Sequence, residues 1–437
     1  MRRAALAATA LALAAMAVPA GAGGFGIPEI GVRRTAMASI IGRPDDASAI
    51  YHNPAGLVLE HGWQLYASFG LSLLDTRFEL AAWDGSERFL GPPGGDGYYP
   101  AVRPSRAFGV VPMIAATAEL VPDRLVLGAA VFVGNATGAA FPSGAVTRYH
   151  LIDGYVVAPQ AVIAAAYRVS DAISVGASLG VVDVQLHERR DVFPVVEADG
   201  MTTDYSALAG SRPELVLDGS GWAPIWTVAA FGRPLPNVSW GATVTGRANP
   251  ALSGPVHITA SDDGQLHGLT LRDTETTHQL LPWTFAGGGN VDVAPQVELG
   301  GELRYWLYRQ YRTQRIDGVP ILGTVETPKR YRDSWEVSGG VRVHGLSAAP
   351  ALELMAGAQY DRSPAPPETV SLDQPSFSHW AAHGGLRYRL GRYRLGASYV
   401  HYWYQVPTIT GSVTAPPTNI RGSGANHIVT GSIEVAL

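Results

Sequence analysis

Apolar residues alternate with small or polar residues from residue 62 to the end of the chain, in segments of about 10–18 residues. A period of two is typical of β-strands, because successive side chains point to opposite faces of the strand. The pattern predicts fourteen strands, over residues 62–80, 106–119, 125–137, 155–169, 172–189, 220–233, 237–247, 276–291, 295–312, 331–345, 350–361, 378–390, 393–405 and 424–437. Short and long connections alternate between these segments, so the chain predicts an all-β fold, a closed antiparallel barrel with both ends in the periplasm.

Charged residues keep to one parity within these segments, as they should if one face of each strand meets lipid. A charged side chain on the lipid face at mid-membrane depth costs about 2–4 kcal/mol for arginine. In residues 296–308 the positions predicted to face lipid are Val297, Leu299, Leu303, Tyr305 and Leu307. The positions predicted to face the lumen are Glu298, Glu302 and Arg304.

Segment 172–189 departs from a single parity. Its apolar positions are Ile173, Val175 and Leu179 before Val181-Val182, and Val184 and Leu186 after it. An extra residue in one strand shifts the face that each later residue takes, so this switch predicts a β-bulge at Val181-Val182.

Residues 1–22 have the organisation of a secretory signal peptide, with Arg2 and Arg3, an apolar run and the small residues Ala20-Gly21-Ala22. After this leader, no apolar run reaches the length of a membrane-spanning helix. We therefore predict three parts: a signal peptide over 1–22, a small N-terminal segment over 23–60, and a transmembrane β-barrel over 61–437.

Composition removes several classes of function. The chain contains no cysteine, so thiolate metal sites and cysteine nucleophiles are excluded. There is no basic patch of the kind that binds nucleic acid. The 12 histidines form no His-x-x-x-His motif on a predicted helix, and no Gly-x-Ser-x-Gly elbow is present, so we expect no metal, no cofactor and no enzyme activity.

The segment 43–57 is compact and rich in small residues. Asp45 and Asp46 suit the N-cap of a short helical turn. Asn53 should end that turn, because a residue before proline is disfavoured in the α region. Pro54 can begin a second turn, where its missing N–H does not matter.

This segment closely resembles the N-terminal hatch of the FadL/TodX family of outer-membrane channels for long-chain fatty acids and other hydrophobic compounds. The matching residues are Gly23-Gly24-Phe25-Gly26, the pair Asp45-Asp46, and Asn53-Pro54-Ala55-Gly56-Leu57. The later motif Tyr360-Asp361-Arg362-Ser363-Pro364 is similar to a loop of the same family. Two departures are Val133-Gly134-Asn135-Ala136, where many relatives have Pro-Phe-Gly, and Leu437 in place of a terminal aromatic residue.

The resemblance implies a fourteen-stranded barrel with a hatch in its lumen, gated by residues of the hatch: Asp45, Asp46, Asn53, Pro54, Ala55 and Gly56. It also implies passive uptake of hydrophobic molecules such as fatty acids by a monomer in the bacterial outer membrane. The ligand would leave sideways into the membrane lipid through a gap at a kinked third strand. We assign that kink to Gly134 and Asn135 as a hypothesis, since a glycine within a strand often marks a bend.

Three arginines have the parity of the lumen and could bind a ligand carboxylate: Arg304, Arg342 and Arg387. The alternative for each is an ion pair with a lumenal glutamate, namely Glu298, Glu302, Glu336 or Glu353. Three other functions also remain open at this point. They are a general aqueous porin, an outer-membrane lipid hydrolase, and a structural barrel or adhesin.

Overall fold

The computed structural model describes residues 26–105, 108–193, 212–261 and 270–437. The predicted signal peptide, 1–22, and the motif residues Gly23-Gly24-Phe25 lie outside this part of the chain. The strands are β1 Trp63–Leu80, β2 Phe108–Val121, β3 Leu125–Ala140, β4 Asp153–Ser170, β5 Ile173–Asp191, β6 Arg212–Leu235, β7 Val238–Thr245, β8 Ala251–Ser261, β9 Thr270–His278, β10 Thr284–Ala294, β11 Val297–Trp306, β12 Thr313–Val319, β13 Gly323–Pro328, β14 Ser334–Val343, β15 Leu352–Asp361, β16 His379–Leu390, β17 Tyr393–Tyr404 and β18 Ile420–Ala436.

Short helices lie outside the strands. The α-helices are α1 Val32–Met37, α2 Ala49–His52 and α3 Glu87–Leu90, and the 3₁₀ helices are Pro54–Leu59, Val146–Tyr149, Tyr308–Gln310 and Pro367–Thr369. Among the described residues, no helix combines the length and the apolar character needed to cross a bilayer.

Fourteen of the strands close into a ring of antiparallel neighbours. Ring closure comes from β1, which pairs with β18 over Gln64–Leu80 and with β2 over Trp63–Leu73. Further round, β7 pairs directly with β10 and β11 with β14. The fourteen-stranded barrel predicted from the alternation is therefore confirmed, and its closure gives every strand of the described ring a neighbour on both sides.

Two hairpins extend the wall beyond the ring, and the sequence did not predict them. One is β8–β9, which pairs with β6 and β12, and the other is β12–β13. Both lie in connections expected to be loops. They continue the barrel at the end where the long connections lie, which we call the loop end. The opposite end, which we call the turn end, has the short connections, and there the chain enters β1 and leaves β18.

The predicted β-bulge at Val181-Val182 is wrong. The register of β5 runs without a shift through these residues against both β4 and β6. Residues Val184 and Leu186 face inward with the same parity as Val182, and all three are buried. The parity switch in the sequence has another cause: the inward face of β5 is itself apolar at this height.

The outer face of the ring is apolar and exposed, as expected of a surface in contact with lipid. Exposed outward side chains come from every part of the ring, including Trp63, Leu65, Phe69, Ile114, Val131, Ile163, Leu179, Trp222, Leu299, Leu303, Val337, Leu354, Trp380, Trp403 and Val429. Large exposed apolar area of this extent is abnormal for a surface that meets water.

Candidate functional site

Residues 26–60, which we call the hatch segment, are almost entirely buried and contact strands on opposite sides of the ring. The Met37 carbonyl lies against Gly340 of β14 and Gly357 of β15, so closely that a Cβ at either glycine would overlap it. Across the ring, Ala55 lies equally close to Gly176 of β5. Glycine at these positions lets the segment's backbone touch the barrel wall, so the segment fills the lumen at this height.

The local structure around Asn53 follows the sequence prediction. Helix α2 ends before Asn53, and the 3₁₀ helix begins at Pro54. The Asn53 side chain accepts a hydrogen bond from the Ala55 amide at 3.1 Å. The Asn53 amide group also donates to the carbonyl of Ile41 at 2.9 Å and to that of Ala230 in β6 at 3.2 Å. Asn53 thus joins two parts of the hatch segment to the wall.

The predicted N-cap role is wrong for Asp45, whereas Asp46 accepts a backbone N–H at the start of α2 without being its N-cap residue. Helix α2 has Ser48 at its N-cap, and the Asp46 carboxylate accepts the Ser48 backbone N–H at 3.0 Å. Asp45 turns instead toward the wall. An arginine pair from the barrel offers a stronger set of donors than the free N–H groups of a one-turn helix.

Asp45 lies among three guanidinium groups. Its carboxylate is 2.6 Å from Arg342 and 3.0 Å from Arg387, and Arg33 of α1 lies 3.4 Å away. Burial alone would raise the pKa of Asp45, but Arg387, Arg342 and Arg33 outweigh it and hold the pKa well below its ordinary value. Both barrel arginines also bind Glu353, at 3.3 and 2.7 Å, so Arg342 and Arg387 are each paired with more than one carboxylate.

Two arginines of α1 extend this network of ion pairs to further glutamates of the barrel. Arg33 and Arg34 are completely buried, at 0 % exposure. Arg33 binds Glu298 at 2.5 Å, and Arg34 binds Glu336 at 2.5 Å. A buried charge that loses its partner is strongly destabilising, so these pairs hold the hatch segment in one position.

Arg304 differs from the other two predicted arginines. It binds its neighbour Glu302 at 2.8 Å and also contacts His52 of the hatch segment at 3.2 Å. Glu302 in turn accepts the backbone N–H groups of Ile40 and Ile41 at 2.9 and 3.0 Å. Burial, and then Arg304, lower the pKa of His52 to about 3, so its ring is neutral at neutral pH.

The lumen therefore has two kinds of inner surface. We call the inward side chains of β10, β11 and β14–β17 the charged wall; its buried members include Glu298, Glu302, Arg304, Glu336, Arg342, His383 and Arg387. We call the inward side chains of β2–β6 the apolar wall; its buried members include Met113, Ala115, Val126, Ala130, Phe132, Val162, Ala164, Val182, Val184, Leu186, Leu217 and Ile225.

The apolar wall is interrupted between β2 and β3. These strands pair from Val121–Leu125 only as far as Met113–Phe132. Beyond that pair, β3 continues with β4 alone, and its register against β4 shifts between Val133 and Asn135. We call this break, bounded by residues 109–112 of β2 and 133–139 of β3, the window.

Gly134 lies at the register shift and bonds inward instead of across to β2. Its carbonyl accepts the Ile27 N–H at 2.9 Å, and Asn135 forms a β-bridge with Gly26. The window closes again at the loop end, where the Ser105 amide donates to the Ala140 carbonyl at 2.7 Å. The structure thus brings the two predicted kink residues against the start of the hatch segment.

Two cavities lie next to the window. The central cavity, about 80 Å³ and partly open, is bordered by Phe132, Asn135, Tyr51, Arg304, Trp226 and Trp306 among others. The upper cavity, about 40 Å³, lies between β1 and the end of β3 and is lined mainly by carbon, including Leu74, Phe78, Phe141, Phe377 and Tyr404. Arg304 is the one predicted head-group arginine among the described residues lining the central cavity.

Sequence reasoning missed Arg33, Arg34 and Arg43 of the hatch segment. Arg43 binds Asp292 at 2.7 Å and Glu298 at 3.1 Å. The available signal was the excess of inward-facing glutamates on β11, β14 and β15, which needs cations in the lumen to balance it. The sequence suggested that those cations would come from the barrel, whereas Arg33, Arg34 and Arg43 come from the hatch segment.

A closed barrel with an exposed apolar belt and a segment of its own chain in the lumen defines an integral β-barrel membrane protein with an obstructed lumen. Residues 13–393 match the model of the family described as outer membrane protein transport protein (OMPP1/FadL/TodX), and the chain belongs to this family of outer-membrane transport proteins. No curated protein matches the chain significantly.

Solved structures have the same fold. A Pseudomonas aeruginosa FadL homologue superposes with a TM-score of 0.78 at 15 % identity, covering 94 % of this chain and 99 % of that one. The Pseudomonas putida toluene transporter TodX gives 0.70 at 15 % identity over 94 % and 99 %. The Ralstonia pickettii toluene transporter TbuX gives 0.63 at 16 % identity over 94 % and 98 %.

Proposed function

We propose that this protein is a passive channel that takes hydrophobic compounds up across the outer membrane and releases them sideways through the window. The turn end faces the periplasm, and the loop end faces outward. A ligand enters at the loop end, occupies the upper cavity, passes to the central cavity and leaves between β2 and β3. The hatch segment blocks the direct route to the turn end.

One observation carries this proposal: the β2–β3 ladder stops at Met113–Phe132 while both strands continue. Unpaired backbone facing lipid is costly, so an interrupted ladder in a barrel wall needs a local compensation. Here the compensation is the hydrogen bond from Ile27 to Gly134, which ties the bent strand to the hatch segment. Buried Val110, Val133 and Ala136 line the break.

Lateral release is consistent with the energetics of the ligand. Transfer of apolar surface out of water gains about 25 cal/mol per Å². A route from one apolar cavity to membrane lipid keeps that gain, whereas a route past the buried ion pairs of the charged wall would place the ligand against charged groups and then in water. The apolar wall is therefore the favourable path.

The related channels suggest the ligand class. TodX and TbuX are described as toluene transporters, and another neighbour is described as a FadL homologue. We propose that this chain takes lipophiles of either kind, with Arg304 meeting the carboxylate when the ligand is a long-chain fatty acid. Arg304 already binds Glu302 and His52, so a bound carboxylate would join an existing network.

A pair of cysteines can close the window, since the native chain contains none. Extending the Met113–Phe132 register by two residues sets Val111 opposite Gly134, so the variant is Val111→Cys with Gly134→Cys. The matched control is Ala115→Cys with Ala130→Cys, which lie opposite each other below the window. Uptake of oleate and of toluene is measured in a host that lacks its own channel of this family, before and after reduction.

We expect oxidation to stop uptake of both compounds in the window variant, reduction to restore it, and the control pair to transport in both states. Uptake that continues through a cross-linked window would contradict lateral release. Replacing Arg304 with glutamine should lower oleate uptake more than toluene uptake, and equal loss of both would remove the head-group role.

A further inference from the structure

Three side chains with polar ends converge on the outward face of β17 and β18. His401 and His427 lie directly opposite each other across the strand pair. Their Nδ1 atoms are 3.1 Å apart. The Tyr399 hydroxyl lies 2.6 Å from the Nδ1 of His427 and 3.4 Å from that of His401. We call these residues the His–His–Tyr cluster.

The position of the cluster is at the boundary of the apolar belt. On β17 it lies beside Trp403, whose ring is 4.2 Å from that of His401 between centroids. On β1 the residue opposite His427 is the exposed Leu73, and the next outward residue toward the loop end is the charged Asp75. The cluster therefore lies at the margin of the apolar belt, one outward position on β1 from the first charged residue toward the loop end.

Hydrogen bonds can hold the three groups in this arrangement. An imidazole nitrogen that carries no proton has a single lone pair, one that carries a proton has a single N–H, and a tyrosine hydroxyl can both donate and accept. The Tyr399 hydroxyl can donate to the Nδ1 of His427 and accept from that of His401, and the two Nδ1 atoms lie 3.1 Å apart. A cation placed between the three atoms could replace these bonds and accept the lone pairs of both nitrogens and of the hydroxyl oxygen.

We propose that the His–His–Tyr cluster binds a late first-row transition-metal ion, Cu²⁺ or Zn²⁺. Neutral imidazole is the commonest protein ligand for such ions, and a bond of about 2.0–2.1 Å in tetrahedral geometry separates neighbouring ligand atoms by roughly 3.3 Å. The three observed separations, 2.6, 3.1 and 3.4 Å, lie around that value. Small side-chain rotations complete the fit and leave the remaining position to water.

The order of affinities follows from the ligand set. Two nitrogens and one phenol oxygen bind Cu²⁺ more tightly than Zn²⁺ in the usual order for divalent ions. Mg²⁺ and Ca²⁺ prefer carboxylate and carbonyl oxygens, so neither should compete. This site is independent of the transport route, because its side chains point away from the lumen.

The test titrates the purified, detergent-solubilised chain with Cu²⁺ alone and then with Zn²⁺ as competitor, using calorimetry and electron paramagnetic resonance. The variants are His401→Ala, His427→Ala and Tyr399→Phe. The matched control is His61→Ala at the turn end, where the histidine lies 3.5 Å from Glu119 and is the rival for surface metal binding. The melting temperature without metal checks that each variant folds.

We expect one Cu²⁺ per chain at this site, with hyperfine coupling from two nitrogens. Loss of either histidine should weaken binding by at least the roughly 10–100-fold that loss of a supporting outer-shell group costs. Tyr399→Phe should weaken binding less and change the visible spectrum, and His61→Ala should leave binding unchanged. No saturable binding, or binding lost in His61→Ala and kept in His401→Ala, would overturn the proposal.

Discussion

The charged and the apolar wall enclose the same lumen but treat the hatch segment differently. Against the charged wall, Arg33, Arg34 and Asp45 are each held by buried ion pairs at 2.5–3.4 Å. Against the apolar wall, Ile50 and Ala55 fit into hollows above glycines without any charge. One wall fixes the segment by pairs that are costly to break, and the other leaves space for a ligand.

The difference teaches why the gap lies where it does. A break in the charged wall would expose buried ions to lipid, at a cost of several kcal/mol for each ion. A break in the apolar wall exposes mainly carbon, and the backbones of Gly134 and Asn135 bond to the hatch segment there. The window at Gly134 is thus placed where opening the barrel is least costly.

Removing the hatch segment should break this arrangement most severely. Deletion of residues 23–57 leaves a ring whose ladder is intact except at the window, so we expect it to fold as a barrel. Its lumen would then be lined by hydrated charges and would conduct ions. Planar-bilayer recording should show large open-channel conductance in the deletion and little in the full chain. Equal conductance would contradict the hatch as the obstruction.

Neutralising one carboxylate of the hatch segment should weaken its attachment to the charged wall and leave its contacts with the apolar wall unchanged. Asp45→Asn removes the carboxylate charge that Arg342 and Arg387 share in the hatch segment, while both arginines keep Glu353 on the barrel. The barrel arginines therefore stay paired, and the hatch segment loses its own half of the contact. Hydrogen exchange of residues 29–48 should accelerate markedly. Asp183→Asn on β5 is the control, since Asp183 is a buried carboxylate with the outward parity of β5, away from the hatch segment, and accepts a hydrogen bond from Gln185 at 2.8 Å. Similar acceleration in both variants would argue against a local clamp.

Low pH should weaken the same contact, because it protonates Asp45. The folded-state pKa of Asp45 is lowered, after the opposing effect of burial, by Arg387, Arg342 and Arg33 from an ordinary 3.8. A lowered acid pKa stabilises the fold above the ordinary value, and that stabilisation disappears as the pH falls through the lower one. We expect the hatch segment to stay protected at pH 5 and to lose protection progressively below about pH 4. Asp45→Asn should remove this dependence; an unchanged acid transition would exclude Asp45.

The smallest effect concerns Glu275 of β9, in the extension of the apolar wall. Its carboxylate is buried and has no hydrogen-bond partner among the described residues. Burial, followed by Glu188 and Asp218, raises its pKa from 4.5 to about 7. The hairpin should therefore lose stability as the pH rises from 4.5 to 7, opposite in sign to Asp45. Glu275→Gln should make the protection factors of the β8–β9 amides, which correct for the intrinsic pH dependence of exchange, independent of pH in this range.

Much of the ring could be predicted from the sequence because lipid imposes a strict parity on each strand. Val297 to Leu303 in β11 show this plainly: their outward positions are apolar and their inward positions charged. The same rule failed in β5, because Val184 and Leu186 face a lumen that is apolar on that side. A parity change in sequence cannot distinguish a bulge from a lumen that changes character.

The candidate site was less predictable, since it depends on pairs far apart in sequence. Asp45 and Arg387 are 342 residues apart, and no local pattern indicates their contact. No residue type in the sequence indicates that the β2–β3 pairing ends at Phe132, although Gly134 lies beside it. The β8–β9 and β12–β13 hairpins were missed because they fall in connections that read as long loops.

The route of the ligand is tested most directly by photo-cross-linking with a diazirine-labelled long-chain fatty acid, followed by mapping of the labelled residues. We predict labels on Phe78 and Phe377 of the upper cavity, and on Val110, Val133 and Ala136 of the window. Labels concentrated instead on Asp45, Arg387 and the turn end would mean that the ligand passes through the hatch segment, and would contradict lateral release.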